Sequence, residues 1–592
     1  MDESELDCLE SKDVAAMGKV LKTFVEKNNP VFTFPSLNEN SLRRRLWSAL
    51  FKILVDSNSA PNYALCLESI RILSREKTDL NDLMCDEWLN ILLQHAGLMS
   101  QEEALQRINQ PSVEYNVMLE AQKCLCNLIF NSPTAQKACS TNHSVEGVVM
   151  RLRTYRDPGL PHDIKFFDMK MLFLITALCA DVRPRLKEEL HGLTYLMETL
   201  DLIIKEAVGV GLHDSTLSRE SSEELIHDHH HQISIGSQHP TLSDSQVDLA
   251  CEVLKVLFNL TVGKSKQDVG GPMEMRRVGV DEEEEAHFLR LTTVLHDLFL
   301  CDAVSPAKRD ELRNHTVNLL VNIPSNCYEE LMTTIPKDAR DIPKDVEYEG
   351  LNMQAIAVLY DFLSDRLKEA QAPRMQQEKL CPVLTVLVEA VRVHRSIRKF
   401  LRLRILPPLT DVLHRPEEGE TVRNHLCRLL TTPASDVHKL VSDFLFIICK
   451  ESVSRMVKYF GYGNAAGLLA HRGLMLGGKG TSGNYSSDSE DSDTEEYKKY
   501  RDNINPVTGC FEPPRPNPTE GMSDEQKEFE AMQLVNMMDK LTREGIVLPA
   551  RIGEDGRPEP LEHVLQLQEE LPRQQVRQPQ YNACDEDDDL SD

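Results

Sequence analysis

The sequence predicts an all-α fold built from stacked helical repeats. Two observations lead to it. From about residue 10 to 475, apolar residues recur at spacings of three and four, with Leu, Ala, Lys and Glu between them, and alternating strand patterns are scarce. Short words then repeat: KCLCNLIFNS (Lys123–Ser132), KVLFNLTVGK (Lys255–Lys264) and NLLVNIPSNC (Asn318–Cys327). Each is an apolar helix with one Asn near its C-terminal end, namely Asn127, Asn259 and Asn322. RILSRE, LFLITALCAD and FLFIICKES are weaker copies. Without insertions the copies lie about 50 residues apart, a little above the armadillo and HEAT period. One unit cannot bury its own apolar face, so neighbours must stack. The expectation is an armadillo/HEAT-like right-handed superhelical solenoid over 1–475.

Proline marks the element boundaries, as at Pro158, Pro161, Pro184 and Pro324. Two segments interrupt the repeats, a Ser/His/Asp-rich one at 208–246 and a Gly/Glu-rich one at 263–286. Both read as mobile surface insertions. A Gly-rich, acidic, then Pro-rich linker follows over 476–520. Residues 521–547 form an amphipathic helix, with Ser523 and Gln526 as a capping box, Gly545 as C-cap, and an apolar stripe of Ala531, Leu534, Val535, Met538 and Leu541. Such an isolated helix either docks back on the repeats or lies against a partner. Residues 548–592 read as a disordered acidic tail.

Composition excludes several classes. The chain has 592 residues, more than one compact core usually holds. A net charge of −28 argues against nucleic acid. Its acidic runs, Asp281–Glu285, Ser486–Glu496 and Asp585–Asp592, read as solvated blocks. The acidic N-terminus lacks a secretory signal, and no apolar run approaches the ~20 residues of a membrane span. The 15 cysteines are scattered, without a CxxC pair, as expected of reduced thiols in a cytosolic protein. No cofactor is implied.

Four constellations could carry function. The Asn can be read as local helix ends or as a ladder whose amides bond the backbone of a bound segment. Gly473–Gly480, GLMLGGKG, nearly matches a phosphate-binding loop, but Gly480 stands where the magnesium-binding hydroxyl belongs, and no strand precedes it. His227, His229, His230 and His231 with Asp228 cluster in a segment too mobile for a fixed metal site. Finally, VRVHRSIRKFLRLR (Val391–Arg404) puts Arg392, Arg395, Lys399 and Arg402 on one helix face, with Arg398 beside it. That face could be solvated, could dock a partner's acids, or could receive the chain's own acidic tract. In the tract, Ser487 and Ser492 each have an acid three residues on, which suits an acid-directed kinase. Phosphate on both would add about −1.5 to −2 charge each, for Arg395, Arg398 and Lys399 to clamp.

RILSR (Arg71–Arg75), KCLCNLIF, HDIKFFDMKMLFLITAL (His162–Leu178), LPPLTDVLHRPEEG (Leu406–Gly419), KYFGYGNAAGLLAHRGL (Lys458–Leu474) and INPVTG (Ile504–Gly509) together resemble the synembryn proteins, in order and over nearly the whole chain. INPVTG and the helix after it look more like the A-type member, and the two insertions depart from the family pattern. The resemblance implies a cytoplasmic chaperone and non-receptor guanine-nucleotide exchange factor for heterotrimeric G-protein α subunits, acting as a monomer, without covalent chemistry and without stable membrane insertion, though recruited to the cell cortex. It implies that the concave face of the repeats holds the C-terminal helix of Gα, in its GDP-bound and nucleotide-free states, while the protein's own last helix supports the loosened GTPase domain. Carried onto this chain, the contacts are Arg71, Arg75, Asn127, Phe166, Asp168, Asn259 and Asn322. Ser487 and Ser492 match the family's phosphosites. The rival reading is a generic armadillo adaptor for extended peptides. Import carriers of that kind array Trp with Asn, whereas here only Trp47 and Trp88 exist, neither with an Asn four residues on. An enzyme reading, nucleotide hydrolysis at Gly473–Gly480, is the third.

Overall fold

In the computed structural model, helices alternate along the chain in Met1–Thr333, the first of two compact units. The structure describes residues 2–11, 13–38, 41–98, 114–220, 239–262, 282–335, 342–370, 372–433, 435–480, 485, 493–513 and 516–561, with side chains to 209 in the helix that ends at Glu220. The principal helices of this unit are α1 (Val14–Asn28), α2 (Leu42–Val55), α3 (Tyr63–Leu73), α4 (Asp86–His95), α5 (Tyr115–Asn131), α6 (Ser144–Leu152), α7 (His162–Leu178), α8 (Gly192–Glu220), α9 (Asp244–Thr261), α10 (Glu282–Leu300) and α11 (Pro306–Leu320). Each even helix packs on the odd helix after it, and the odd helices pack on one another in the order α1, α3, α5, α7, α9, α11. This is the stacked helical repeat that the periodicity predicts. The core between the rows is apolar, with Leu50, Leu67, Leu125, Leu172, Leu254 and Leu295 all inaccessible to solvent or nearly so. Burying each such side chain contributes about 1.5–3 kcal/mol.

The second unit, Thr334–Asp592, holds α12 (Gln354–Glu369), α13 (Pro373–Val393), α14 (Arg395–Ile405), α15 (Val422–Leu430), α16 (Asp436–Ile448), α17 (Val453–Phe460), α18 (Tyr462–Arg472) and α19 (Asp524–Arg543). Helices α13 and α16 form its central pair, and α12 and α14 pack against α13. Among the described residues, no helix of either unit is long and apolar enough to cross a membrane.

The boundaries of the inserted and C-terminal segments differ from the sequence reading. Helix α8 continues through 208–220, and Asp244–Gln246 opens α9 behind a Ser243/Gln246 capping box. The acidic run read as a solvated block begins α10 instead: Glu282, Glu283, Glu284 and Glu285 form its first turn. Carboxylates there face the positive end of the helix dipole. Glu284 also meets Lys187 at 2.6 Å. The remainder of both insertions, including His227–His231, lies outside the described residues.

Beyond 475 the chain is ordered over much of the span read as linker and tail. A strand pair, Ile504–Asn505 with Cys510–Phe511, docks on the start of α18 through Tyr462 N–H to Pro506 O (2.7 Å) and Gly463 N–H to Val507 O (2.9 Å). A second pair, Ala550–Ile552 with Pro558–Pro560, docks at the other end of α18, where Met475 N–H donates to Gly556 O (3.2 Å). Gly473 has a φ of +69°, and a Cβ there would sit 2.8 Å from Asp555 O, so the close approach requires glycine. The tail therefore does not begin at 548. Between the two anchors runs α19, with the expected Ser523/Gln526 capping box, Gly545 at φ +70°, and no buried residue.

Candidate functional site

The odd helices share one register, visible in their hydrogen bonds. Asn127 Nδ2 donates to Arg71 O (3.2 Å) and Ser74 Oγ (3.4 Å). Asn259 Nδ2 donates to Phe173 O (3.3 Å) and Thr176 Oγ1 (3.0 Å). Asn322 Nδ2 donates to Phe258 O and Thr261 Oγ1, both at 3.2 Å. Each amide thus ties its helix to the last turns of the preceding odd helix, on a carbonyl and on a hydroxyl three residues later. The amide donors that the ladder reading assigned to a bound segment are used within the array. Asn259 and Asn322 are also only 8% and 6% exposed. The α5–α7 seam lacks this staple on both sides at once, because Ile129 stands at the hydroxyl position and Leu174 at the Asn position.

That seam carries a buried polar hub instead. Asp168, wholly inaccessible, accepts from Gln122 Nε2 (2.6 Å), Arg151 Nη1 (3.1 Å) and Tyr155 Oη (3.2 Å). Burial raises its carboxyl, against the pull of Arg151. Asp168 therefore points into the core between α5, α6 and α7, away from any partner, although the resemblance implies a contact there. Arg75 is likewise occupied: Nη1 donates to Asn29 O (2.6 Å) and Val31 O (3.2 Å), with its guanidinium over Phe32 at 5.2 Å. Arg71 bridges Glu68 (2.8 Å) and Glu120 (2.9 Å).

What remains on the accessible side of the odd row is a cationic and aromatic face. Lys123, Lys170 and Lys255 stand four residues before Asn127, Leu174 and Asn259, at one position of three helices. Each ammonium lies over a ring: Lys123 over Phe167 (5.7 Å), Lys170 over Phe166 and Phe167 (5.6 and 5.7 Å), Lys255 over Phe173 (5.7 Å). Glu120 and Glu252 pair with Lys123 and Lys255, both at 2.8 Å. Among the described residues, no carboxylate pairs with Lys170. One turn further along the same stripes, Phe130, Leu178 and Val262 are 59%, 45% and 44% exposed. Of the residues carried over from the resemblance, Phe166 belongs to this face, and Arg71 reaches it through Glu120. The sequence reading missed the lysines, though Lys123 and Lys255 begin two of the words it compared.

In the second unit, the basic stretch is mostly engaged internally. Arg395 and Lys399 meet Glu349 at 2.8 and 3.8 Å, and Arg398 Nη1 donates to Val391 O at 2.7 Å. Tyr485 lies on the Arg398 guanidinium at 5.1 Å. Burial, then the Glu451 carboxylate, pushes its hydroxyl up to about 12. On the far side of the acidic tract, Asp493 pairs with Lys458, and the Thr494 hydroxyl donates to Leu409 O. Ser487 and Ser492 lie outside the described residues.

Gly473–Gly480 has a structural part. Val453 N–H donates to Gly478 O (3.1 Å), and Gly480 N–H to Glu451 O (2.8 Å). A Cβ on Gly480 would collide with the Glu451 carboxylate, so the hydroxyl side chain of a phosphate-binding loop does not fit there.

Stacked repeats with a lysine–aromatic face define a helical-repeat protein. The chain belongs to the guanine nucleotide exchange factor synembryn family, whose model matches residues 66–557. It is 42% identical to chaperone Ric-8A of Gallus gallus over 557 residues, covering 94% of this chain and 95% of the relative. It is 40% identical to chaperone Ric-8A of Danio rerio, covering 95% and 96%. With chaperone Ric-8 of Drosophila melanogaster it shares 37% identity over 98% and 99% of the two chains.

Proposed function

We propose that this chain is a chaperone and guanine-nucleotide exchange factor for heterotrimeric G-protein α subunits, holding the C-terminal helix of Gα along the odd row. The observation that carries the reading is the in-register face of Lys123, Lys170 and Lys255 beside Phe130, Leu178 and Val262. An amphipathic helix ending in a carboxylate complements it: apolar side chains cover the exposed residues, and the terminal charge meets Lys170, which pairs with no acid among the described residues. Held this way, the helix is detached from the GTPase core, GDP leaves, and GTP binding releases the partner. Exchange needs only tighter binding to the nucleotide-free state than to the GDP state. A 100-fold preference corresponds to about 2.7 kcal/mol, within what covering two or three apolar side chains supplies. Helix α19 gives a second contact through Phe529, Met532, Leu534 and Met537, all more than half exposed.

Phosphorylation of Ser487 and Ser492 by an acid-directed kinase fits the same reading. Tyr485 on Arg398 and Asp493 on Lys458 tether the two ends of the tract. Ser487 follows Tyr485 by two residues, a span of at most about 7 Å, so a phosphate on it would be within range of Arg398, beside Arg395 and Lys399, which share Glu349. GDP release from purified Gα, with and without the phosphorylated chain, tests the proposal. Acceleration that disappears when the last helix of Gα is removed supports it. No acceleration with any Gα class leaves a generic peptide adaptor.

A further inference from the structure

Three metal-ligating side chains converge where α9 packs on α11. Cys251 of α9, with Glu311 and His315 of α11, brings a thiol, a carboxylate oxygen and an imidazole nitrogen within 4.8 Å of one another. Glu311 and His315 are four residues apart, so they project from one face of α11. The seam that carries them is fixed: Asn322 staples the end of α11 to Phe258 and Thr261 of α9. Cys251 is buried, while Glu311 and His315 are half-buried, which leaves a way in from the row's accessible face. The Cys66, Cys124 and Cys301 thiols donate to backbone carbonyls. Among the described residues, neither Cys251 Sγ nor the His315 ring makes a hydrogen bond, so their lone pairs are available.

We propose that Cys251, Glu311 and His315 form a zinc site with three protein ligands and a fourth position open to water. Sulfur, nitrogen and oxygen donors together suit a borderline-soft, tetrahedral ion and do not suit magnesium or calcium, which take oxygen alone. The charges nearby permit it. Lys308 bridges Asp248 (2.5 Å) and Glu311 (2.9 Å), and Lys255 pairs with Glu252. With Cys251 as thiolate, its charge and the carboxylates of Glu311, Asp248 and Glu252 exceed the two ammonium groups by two, the charge of the ion. On binding, the thiol proton goes to solvent and Lys308 withdraws from Glu311 to Asp248. The ion would tie the N-terminal half of the seam whose far end Asn322 closes, fixing α9 and with it Lys255 on the lysine face.

The test uses the full chain, stripped with a chelator and titrated with cobalt(II). A thiolate-to-cobalt charge-transfer band saturating at one equivalent and bleached by zinc is the expected result. Cys251→Ser removes the band, and His315→Ala weakens binding by about tenfold or more. Lys308→Gln strengthens it, because Glu311 loses its competing cation, with saturation still at one equivalent and the circular dichroism spectrum unchanged, which sets it apart from thiols exposed by misfolding. Absence of the band in the parent chain overturns the proposal. So does a full band in Cys251→Ser, which would place the metal on other thiols, or weaker binding in Lys308→Gln.

Discussion

The odd row of the first unit and helix α19 of the second present apolar residues to solvent in opposite ways. In the row, exposed Phe130, Leu178 and Val262 sit on helices whose own packing is complete, each seam closed by an Asn staple or by the Asp168 hub. Helix α19 buries no residue fully, with Val535, Met538 and Leu541 only half-buried, yet both of its flanking strand pairs are hydrogen-bonded to the two ends of α18. The first surface is preformed, so a partner meets it without ordering cost. The second is an arm held at two points, whose apolar face gains only when something covers it. Pre-organisation of this kind decides how much of an interface's burial survives as affinity.

The comparison breaks most visibly at the hub. Asp168→Ala leaves Arg151 buried and unpaired, and removal of one partner from a buried pair costs about 3–5 kcal/mol. Chemical denaturation should show that loss in the first unit. A variant with unchanged stability would mean that water or a rearranged Gln122 replaces the carboxylate, and the hub would not be what closes the α5–α7 seam. Asn259→Ala comes next. It removes the two bonds that Phe173 O and the Thr176 hydroxyl oxygen accept from the amide, while that hydroxyl still donates to Leu172 O, at a net cost of about 0.5–1.5 kcal/mol per bond. A double-mutant cycle with Thr176→Val should show coupling, because the hydroxyl no longer needs the amide.

These two residues also show what the sequence could and could not say. The Asn were legible because they repeat at one place in similar words, but a repeat position states only that a job recurs, not whether it faces inward or outward. Two facts favour the inward job, and both are in the sequence. A hydroxyl stands two residues past the aligned position of the helix before each Asn (Ser74, Thr176, Thr261), and at α5–α7 both members of the pair are replaced by aliphatic residues, Ile129 and Leu174. The same words hold Lys123 and Lys255, but a lysine on a helix usually signals only solvent, so sequence alone does not single them out. Asp168 is a contact only by the resemblance, and nothing near it in sequence shows its inward role, since its donors come from α5 and from α6 and the turn after it. At the C-terminus, acidic composition masked an Asp555-Gly556 turn between two short strands. The Glu-rich start of α10 was masked in the same way, because charge runs look alike whether they cap a helix or trail in solvent.

A smaller effect, on binding rather than folding, tests the preformed surface. Lys170→Glu should weaken Gα binding about tenfold, near 1.4 kcal/mol, while the unfolding midpoint stays within the ~0.5 kcal/mol usual for surface changes. Calorimetric titration with a peptide of the Gα C-terminal helix measures the first. Equal affinity would remove Lys170 from the face and leave the apolar residues to carry the proposal alone.

The smallest effect sharpens the other side of the comparison. Gly473→Ala puts a methyl group against Asp555 O at a backbone φ of +69°, where an L side chain is strained. Such a substitution destabilises by somewhat more than the roughly 0.4–1 kcal/mol that a compatible one contributes. The loss should fall on the 550–560 strand pair and its bond from Met475 N–H to Gly556 O, not on the stapled row. Hydrogen exchange across the whole chain separates the two outcomes. Faster exchange confined to residues 546–561 and the end of α18 would show that the second anchor can open on its own. Binding through α19 would then weaken, since the freed arm must be ordered anew each time. Exchange that rises equally in α7 and α9 would show instead that the two regions unfold together, and the contrast between a preformed face and a tethered arm would not hold.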